Sequence, residues 1–380
     1  MSKLEQLIKK HCPDGVEYVS IGNLICRIRE KGKDVPEVNQ VYVVSNTQGI
    51  VKAEEYRENT IHSEDTSNYT VVRQNMIAYN PSRLNIGSIA RLKESKAGLV
   101  SPMYVVFSVD SNKILYDYFD YLITSSYVSG KINSFKEDGA RFRFDFSRWN
   151  WIIIPLPPLE VQSEIVRILN KFTELTTELT AELEARKKQY VYYRNKILSS
   201  SNGSKLLLKD IATTFRGEYI TKSSTQKGNI PVILGGQEPA YYIDKYNHQG
   251  ELVVVSRSGA SAGFVSYWNE KVFVTDGFGY EAKENIVTPK YLYHILKNIE
   301  PKLNSMKRGA GVPHVRGEAL SNLEFLIPPI EEQNRVVSIL DHFDTICYDI
   351  SEGLPAEIEG RRKQYEYYRD KLLTFKEKVN

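Results

Sequence analysis

Two short stretches carry residue types that could take part in catalysis. Asn80-Pro-Ser-Arg83 resembles the Asn-Pro-Pro-aromatic element of adenine methyltransferases, but serine and arginine replace its last two residues, and no convincing glycine-rich methyl-donor loop accompanies it. Asp276 followed by Glu281-Ala-Lys283 resembles the acid–acid–lysine set of nucleases, although acidic residues are common in such turns. The phosphate-binding pattern Gly-x4-Gly-Lys-Ser/Thr does not occur. These incomplete motifs predict that the chain has no catalytic residues.

The metal-ligating residue types show no spacing typical of a metal site. The three cysteines form no CxxC pair, and their odd number argues against a disulfide framework. The histidines share no recurring partner spacing, so we expect a structural or surface role for each. We therefore expect no metal and no cofactor in this chain. The residues concerned are Cys12, Cys26, Cys347, His11, His62, His248, His294, His314 and His342.

The composition is that of an ordinary globular protein. Of the 380 residues, 41% are hydrophobic and 26% are charged, and no apolar run is long enough to predict a membrane helix. The charged N-terminus lacks the apolar stretch of a signal peptide, so we expect a cytoplasmic location. The formal net charge is +3; residues 14–158 contain 17 basic and 17 acidic side chains, and residues 204–328 contain 15 and 12. Any contact with nucleic acid must therefore depend on local clusters of charge.

An internal repeat is the strongest feature of the sequence. ELEARKKQYVYYRNKIL (182–198) and EIEGRRKQYEYYRDKLL (357–373) are identical at 11 of 17 positions. Leu-Pro-Pro-Leu-Glu-Val-Gln (156–162) likewise matches Ile-Pro-Pro-Ile-Glu-Glu-Gln (327–333), and Asn-Ser-Phe-Lys (133–136) matches Asn-Ser-Met-Lys (304–307). Two unrelated coiled-coil helices would not explain this order, because heptads fix only the types of the a and d residues. The chain is therefore two copies of one plan.

Each copy ends in a long charged helix, predicted over 159–200 and 330–376. Apolar or aromatic residues recur at alternating steps of four and three, which indicates a coiled-coil seam. Arg186 and Arg361 stand at equivalent seam positions, where each could fix the helix register or simply extend to solvent. Four extra residues around Gly353 and Pro355 suggest that the second helix is kinked or interrupted. The predicted seams are Ile165, Leu169, Phe172, Thr176, Leu179, Leu183, Arg186, Tyr190, Tyr193, Ile197, and Val336, Leu340, Phe343, Cys347, Ile350, Ile358, Arg361, Tyr365, Tyr368, Leu372.

The regions before the helices are rich in glycine and strand-forming residues. Residues 76–79 and 252–255 are short strand-like runs, each followed by a seven-residue loop that ends at Gly87 or Gly263. The loops have equal lengths but different side chains. Two domains that recognise different sequences on a common scaffold would have this property.

These features together resemble a known family. Two variable globular regions, each followed by Pro-Pro-x-Glu-x-Gln (157–162 and 328–333) and a Lys-Gln-Tyr-x-Tyr-Tyr-Arg-x-Lys-x-Leu tail, are similar to the specificity subunits of type I restriction–modification systems. The resemblance implies an α+β fold with a pseudo-two-fold internal repeat, in which two mixed α/β target recognition domains are joined by two long antiparallel coiled-coil helices. It places the recognition domains at 1–157 and 204–328 and the spacer helices at 158–203 and 329–380.

The resemblance also implies a function without catalysis. Each domain would recognise one half of a gapped, two-part site on double-stranded DNA, and the helices would dock two methyltransferase subunits. Restriction subunits would join the full complex, and S-adenosylmethionine, ATP and Mg would belong to the partner subunits. No membrane partner is expected. A two-domain coiled-coil scaffold for protein partners alone is the alternative, but it leaves the equal-length loops with different polar residues unexplained.

Two sets of residues follow as candidate sites. Loop side chains able to bond base edges, and glycine-flanked basic residues able to approach phosphates, are the DNA-binding candidates. Tail residues repeated outside the apolar seam positions are the partner-binding candidates, because coiled-coil packing alone does not demand their identity. The DNA-binding candidates are Asn80, Ser82, Arg83, Asn85, Arg141, Arg143, Ser256, Arg257, Ser258, Arg308, His314 and Arg316. The partner-binding candidates are Lys188, Gln189, Tyr192, Arg194, Lys196, Lys363, Gln364, Tyr367, Arg369 and Lys371.

Overall fold

A computed structural model describes residues 2–56, 63, 65–135, 142–200, 202–224, 226–234, 238–259, 261–306 and 315–378. The chain divides into two compact units. The first unit combines Met1–Glu178 with Glu359–Asn380, and the second is Leu179–Ile358. Each unit therefore contains one globular region together with the repeated helix tail that belongs, in sequence, to the other copy. None of the described helices is long and apolar enough to cross a membrane.

The first globular region contains ten strands and four α-helices within the described residues. Ser2 caps the first helix reciprocally with Glu5, and Ser125 caps the fourth. The strands are β1 (Glu17–Ser20), β2 (Ile25–Ile28), β3 (Val41–Ser45), β4 (Gly49–Lys52), β5 (Thr70–Val72), β6 (Ile77–Tyr79), β7 (Ile89–Arg91), β8 (Gly98–Val100), β9 (Val105–Val109) and β10 (Ile153–Leu156). The helices are α1 (Lys3–His11), α2 (Ala53–Tyr56), α3 (Tyr116–Ile123) and α4 (Ser126–Ser134), and the 3-10 turns are Ile21–Asn23, Gly32–Asp34, Leu84–Ile86 and Phe146–Trp151. The first long helix, α5 (Leu159–Ser200), follows.

The second globular region repeats this order with nine strands and four short helices among its described residues. Thr288 caps its main helix, which begins at a proline. The strands are β11 (Ser204–Leu207), β12 (Ala212–Arg216), β13 (Lys227–Ile233), β14 (Tyr241–Ile243), β15 (Glu251–Ser256), β16 (Val265–Asn269), β17 (Phe273–Val274), β18 (Gly277–Ala282) and β19 (Glu324–Ile327). The four short helices are α6 (Leu208–Ile211), α7 (Pro289–Asn298), α8 (Glu300–Ser305) and α9 (Gly317–Ser321), and the 3-10 turn is Lys222–Ser224. The helices that follow the region are α10 (Ile330–Tyr348) and α11 (Leu354–Leu372).

The two regions share one sheet topology, except that β5 of the first has no counterpart among the described strands of the second. The first has sheets ordered β2-β9-β6-β7 and β4-β3-β8-β5, and the second has sheets ordered β12-β18-β15-β16 and β14-β13-β17. A parallel pair, β3 with β8 and β13 with β17, occurs at the same place in an otherwise antiparallel arrangement. An antiparallel ribbon, β1 with β10 and β11 with β19, leads into each long helix. The repeat inferred from sequence is thus a repeat of structure.

The helix predicted over 330–376 is two helices. α10 ends at Tyr348, and the carboxylate of Asp349 accepts hydrogen bonds from the backbone of Ser351 and Glu352. Gly353 lies so close to the end of α10 that a Cβ there would stand 2.3 Å from the Thr345 carbonyl oxygen. Pro355 lies in the first turn of α11, where no intrahelical N–H bond is required of it. The interruption expected at Gly353 and Pro355 is confirmed.

The predicted seams are only partly buried. In the first unit Phe172 of α5 stacks on Tyr368 of α11, and in the second unit Tyr190 of α5 stacks on Phe343 of α10. Ile350 is 86% exposed, because α10 has ended two residues earlier, so its assignment to the seam was wrong. Arg186 and Arg361 are exposed as well.

Candidate nucleic-acid interface and helix surfaces

The glutamine of the Pro-Pro-x-Glu-x-Gln motif joins each long helix to its globular region. In the first unit Gln162 is fully buried, and its side-chain oxygen accepts from the Leu115 N–H at 2.8 Å. Its amide nitrogen donates to the carbonyls of Lys113 (2.9 Å) and Pro157 (2.8 Å). Leu115 is the N-cap of α3, so the Gln162 side chain satisfies a backbone N–H at the start of that helix and also fixes the loop before it.

The second unit contains the same arrangement. Gln333 is also fully buried; its oxygen accepts from the Thr288 N–H at 2.8 Å, and its nitrogen donates to the carbonyls of Ile286 (2.9 Å) and Pro328 (2.8 Å). Thr288 is the cap of α7. The motif that carried the family resemblance is therefore a structural anchor, and its polar residue is not exposed to a ligand.

The loop between β6 and β7 presents two of the predicted DNA-binding side chains. Ser82 and Arg83 are exposed and Asn85 is half-buried. Asn80 is only 9% exposed; its carboxamide oxygen accepts from the Ser82 N–H at 2.9 Å and so closes the turn. This bond gives Asn80 a structural role in the loop, and its contact with DNA stays a prediction.

A basic groove lies beside this loop in the first unit. It is a cavity of about 440 Å³, and the described residues that line it include four cations and no carboxylate. Lys31 donates to the Thr70 hydroxyl at 3.0 Å, whereas Glu30, between the cations in sequence, pairs with Arg73. The cations are Arg27, Arg29, Lys31 and Arg143.

Of the four groove cations, Arg143 was predicted from the sequence and the other three were not. They follow one another at every second residue along and beyond the edge strand β2, and alternate residues of an extended chain point to the same side. That spacing is visible in the sequence. Arg143 is exposed and bonds Asp145 at 3.1 Å through Nε.

The corresponding loop of the second unit is organised by an ion pair. Arg257 Nε donates to the Asp276 carboxylate at 2.8 Å, and the Ser258 hydroxyl donates to the other oxygen of the same carboxylate. The side chains of Arg257 and Asp276 are 32% and 20% exposed. Ser256 is 1% exposed, so its predicted contact with DNA was wrong: it is the last residue of a buried strand.

The second predicted DNA surface falls largely outside the described residues. Arg141, Arg308 and His314 lie there, and the structure places none of them. Arg316 is exposed at the start of α9, and the preceding residue, Val315, is buried.

The repeated tails expose the same aromatic and basic residues in both units. Tyr192 is 59% exposed in the second unit and Tyr367 is 62% exposed in the first. The ammonium of Lys196 lies 5.9 Å from the Tyr192 ring centroid, and that of Lys371 lies 5.8 Å from the Tyr367 ring. Lys188, Lys363 and Gln364 are exposed and Gln189 is half-buried.

Two tail residues face the interior of their units. Arg194 and Arg369 are each 8% exposed. Arg194 donates to Asn298 at 3.1 Å over the Tyr190 ring, and Arg369 donates to Asp370 at 3.0 Å over the Tyr365 ring. Both are corrections to the predicted docking set, because Arg194 bonds Asn298 of α7 and Arg369 also donates to the Ser126 hydroxyl of α4 at 3.5 Å, so both guanidinium groups contact their own globular regions.

His294, Asp341 and Asp344 have potential ligand atoms within 4.8 Å of one another. His294 is fully buried, and its Nε2 lies 2.7 Å from Asp341, which the Lys290 ammonium also approaches at 3.4 Å. Burial alone would raise the pKa of Asp341, but His294 and Lys290 hold it below its ordinary value. The described partners of the Asp341 carboxylate are thus the His294 ring and the Lys290 ammonium.

Comparison with known proteins identifies the family. The model of the "Type I restriction modification DNA specificity domain" matches residues 13–189 and again residues 204–360. The chain belongs to this family. It is therefore a DNA-sequence recognition subunit of a type I restriction–modification system; these subunits are non-catalytic, and catalysis lies in other subunits.

Individual relatives agree with this assignment. The specificity subunit of the EcoR124I/EcoR124II enzyme from Escherichia coli is 35% identical over 308 residues, which cover 72% of this chain and 74% of that protein. A putative type I specificity subunit from Haemophilus influenzae is 34% identical over 70% of this chain and 72% of its own length.

Solved structures share the fold at low identity. The S subunit of the M. genitalium type I system has a TM-score of 0.56 at 15% identity, covering 94% of this chain and 96% of that one. A structure described under complex assembly and conformational transition of the type I system has a TM-score of 0.67 at 16% identity, covering 95% and 98%.

Proposed function

We propose that this subunit recognises a gapped, two-part DNA site with one domain per half-site. The observation that carries the proposal is the repeated scaffold. In both units the sheet that carries the loop has the same strand order and the same buried glutamine anchors the helix, but the loops present different side chains. A common frame with different loop residues suits recognition of two different short sequences. The two spacer helices would set the gap between them.

The basic groove supports DNA as the ligand of the first domain. Four cations with no lining carboxylate suit the closely spaced phosphates of a duplex, and exposed Ser82 and Arg83 stand beside them. Phosphate contacts fix the position of a protein on DNA, and neighbouring loop side chains can then contact base edges. A scaffold that binds only proteins would give no reason for this concentration of positive charge.

The exposed tails support docking of two methyltransferase subunits. Tyr192 with Lys196 and Tyr367 with Lys371 form the same surface twice, and aromatic side chains are common anchors of protein interfaces. Two copies of one surface fit two copies of one partner. The partners would carry S-adenosylmethionine, and restriction subunits with ATP and Mg would complete the assembly.

Methylome sequencing of a host that expresses this chain with its methyltransferase tests the recognition proposal. We expect methylation at one two-part sequence with an unmethylated gap. Ser82→Ala with Arg83→Ala should alter one half of that sequence and leave the other half unchanged. A continuous, ungapped sequence, or a change in both halves, would contradict the assignment of one domain to each half-site.

Native mass spectrometry of the same complex tests the docking proposal. Tyr192→Ala with Lys196→Ala should remove one methyltransferase subunit, and Tyr367→Ala with Lys371→Ala should remove the other. Tyr219→Ala is the matched control, because Tyr219 is 89% exposed but lies outside the tails. If both tail variants keep two partners, docking uses another surface.

A further inference from the structure

The side chains of Arg257, Ser258 and Asp276 form one bonded group in the second unit. They lie where β15 ends and β18 begins, two strands that pair directly. One carboxylate oxygen of Asp276 accepts from Arg257 Nε at 2.8 Å, and the other accepts from the Ser258 hydroxyl. Both oxygens of Asp276 are therefore used to hold the start of the β15–β16 loop.

The backbone of the arginine is held at the same time. The Arg257 N–H donates to the Asp276 carbonyl at 3.1 Å, and the Arg257 carbonyl accepts from the Val315 N–H at 2.9 Å. A long flexible side chain normally loses conformational freedom when it binds a ligand. Here much of that freedom is removed beforehand, so the cost of ordering Arg257 on DNA is reduced.

The direction of the bond determines what the arginine can recognise. A carboxylate bound through Nε orients the planar guanidinium, and its two terminal nitrogens form the opposite edge. Guanine presents two acceptors, O6 and N7, in the major groove, and they match such a pair of donors. The Arg257 side chain is 32% exposed, so it is neither buried as a core ion pair nor fully solvated.

Among the described residues of the first unit, the equivalent positions hold no such group. β6 pairs with β9 in the register in which β15 pairs with β18, and this register puts Pro81 and Met103 at the positions of Arg257 and Asp276. Met103 is 58% exposed. The ion pair is thus not required by the shared scaffold, and a function specific to the second domain explains its presence.

We propose that Asp276 is a positioning residue that holds Arg257 to recognise a guanine in the half-site of the second domain. The assignment rests on the proposed two-part recognition and adds the base and the residues that select it. Ser258 supports the carboxylate from the other side. The second half-site must therefore contain a G·C pair whose discrimination depends on both Arg257 and Asp276.

The test uses the full chain with its methyltransferase partner, and measures binding to DNA duplexes in which each pair of the methylated sequence is replaced in turn. Arg257→Lys keeps the charge but loses the two-donor edge, and it should reduce discrimination at one G·C pair by about tenfold to a hundredfold. Asp276→Asn should weaken discrimination at the same pair. The double variant should be no worse than Arg257→Lys alone, because both changes remove one interaction.

Arg216→Ala and Arg29→Ala are the controls. Arg216 is exposed on the neighbouring edge strand of the second unit, and its loss should weaken binding to all sequences alike. Arg29→Ala should leave the second half-site unchanged. Melting temperatures of every variant separate lost recognition from lost folding; if Asp276→Asn fails to fold, Arg257→Lys still decides the matter.

The outcomes distinguish this assignment from the function on which it rests. A two-part sequence whose half-sites contain no guanine sensitive to Arg257→Lys overturns the assignment and leaves two-part recognition intact. A variant that changes only the melting temperature overturns it as well, since the ion pair would then serve only the loop. If no two-part sequence is methylated, the proposed function fails first and this assignment fails with it.

Discussion

The same edge strand has different electrostatics in the two units. The paired registers align Arg27, Arg29 and Lys31 of the first unit with Thr214, Arg216 and Glu218 of the second. Three cations are thus matched by a neutral residue, a cation and an anion. The first unit concentrates positive charge in a groove, whereas the arginine on the second unit's recognition loop is paired with a carboxylate. One scaffold can therefore support a phosphate-dominated and a base-dominated mode of contact.

What the units share is equally informative. Gln162 and Gln333 make the same three hydrogen bonds at nearly the same lengths, although the globular regions around them differ in sequence. The repeated motif is thus explained by a buried polar group that must be satisfied. Features that the two copies share belong to the common scaffold, and the loops in which they differ are the proposed recognition surfaces.

Replacing these glutamines should give the largest effect on stability. Gln162→Ala should destabilise the first unit by about 2–4 kcal/mol, because it removes three hydrogen bonds and leaves buried backbone groups without partners. Gln333→Ala should do the same to the second unit only. Hydrogen exchange followed by mass spectrometry measures each unit separately, which a single melting curve would not.

The matched control for both is Gln364→Ala. Gln364 is exposed, and its replacement should change protection by less than about 0.5 kcal/mol. If Gln162→Ala loosened both units equally, the anchor would not be local to its unit, and the comparison between the units would fail.

The basic groove should make the first unit the more salt-sensitive. Arg27→Ala with Arg29→Ala should reduce the slope of log affinity against log salt by about 2 and weaken binding about tenfold or more, because two phosphate contacts are lost. Binding of the complex to its DNA between about 50 and 200 mM salt measures the slope. Arg216→Ala in the second unit should reduce it by about 1 at most. An unchanged slope in the double variant would remove the groove from the DNA interface.

The sequence predicted the frame of the molecule better than its surfaces. Internal repetition located the two strand–loop–strand elements and the long helices, since equal spacing follows from equal folding. Arg27 and Arg29 were missed because they precede the loop at Asn80 by about fifty residues, and only the pairing of β2 with β9 and of β9 with β6 brings them beside it. Strand pairing over such distances is not encoded in a local pattern.

One further assignment failed for a different physical reason. Arg194 was predicted on the docking surface because it is identical in both tails, but identity does not reveal which side of the helix is covered. Asp276, which resembled part of a nuclease acid set, lies directly before β18, and its pairing with Arg257 became visible only in the structure. A repeated or charged residue indicates a constraint, but its contacts decide which constraint it is.

Acid should destabilise the first unit through Glu164. Hydrogen bonds from Arg167, then the nearby Lys3, lower the pKa of Glu164 from 4.5 to about 2 against its burial. Because the folded pKa is depressed, the stabilisation is present above about pH 4.5 and is lost as the pH falls towards 2. Since both cations are largely exposed, we expect a loss of about 1–2 kcal/mol rather than the full value of the shift.

Glu164→Gln measures this contribution. The variant should be less stable than the wild-type chain at neutral pH and equally stable near pH 2, as followed by hydrogen exchange in the first unit. The equivalent position of the second unit is Arg335, so the substitution should leave the acid response of the second unit unchanged, and that unit serves as the internal control. If the variant kept the wild-type acid response in the first unit, the predicted role of Glu164 would be contradicted.

The smallest effect on stability is expected at Arg186, which could either fix the helix register or simply extend to solvent. Its side chain is 46% exposed and bonds Glu182 and Gln189 on its own helix, so solvent can replace each contact. Arg186→Ala should therefore change the stability of the second unit by less than about 0.5 kcal/mol. Leu183→Ala, one turn earlier and 9% exposed, should cost about 2–4 kcal/mol under the same hydrogen-exchange measurement. If Arg186 fixed the helix register, Arg186→Ala would instead destabilise the second unit by more than about 1 kcal/mol and would shift hydrogen-exchange protection along α5. That result would support the register-fixing interpretation.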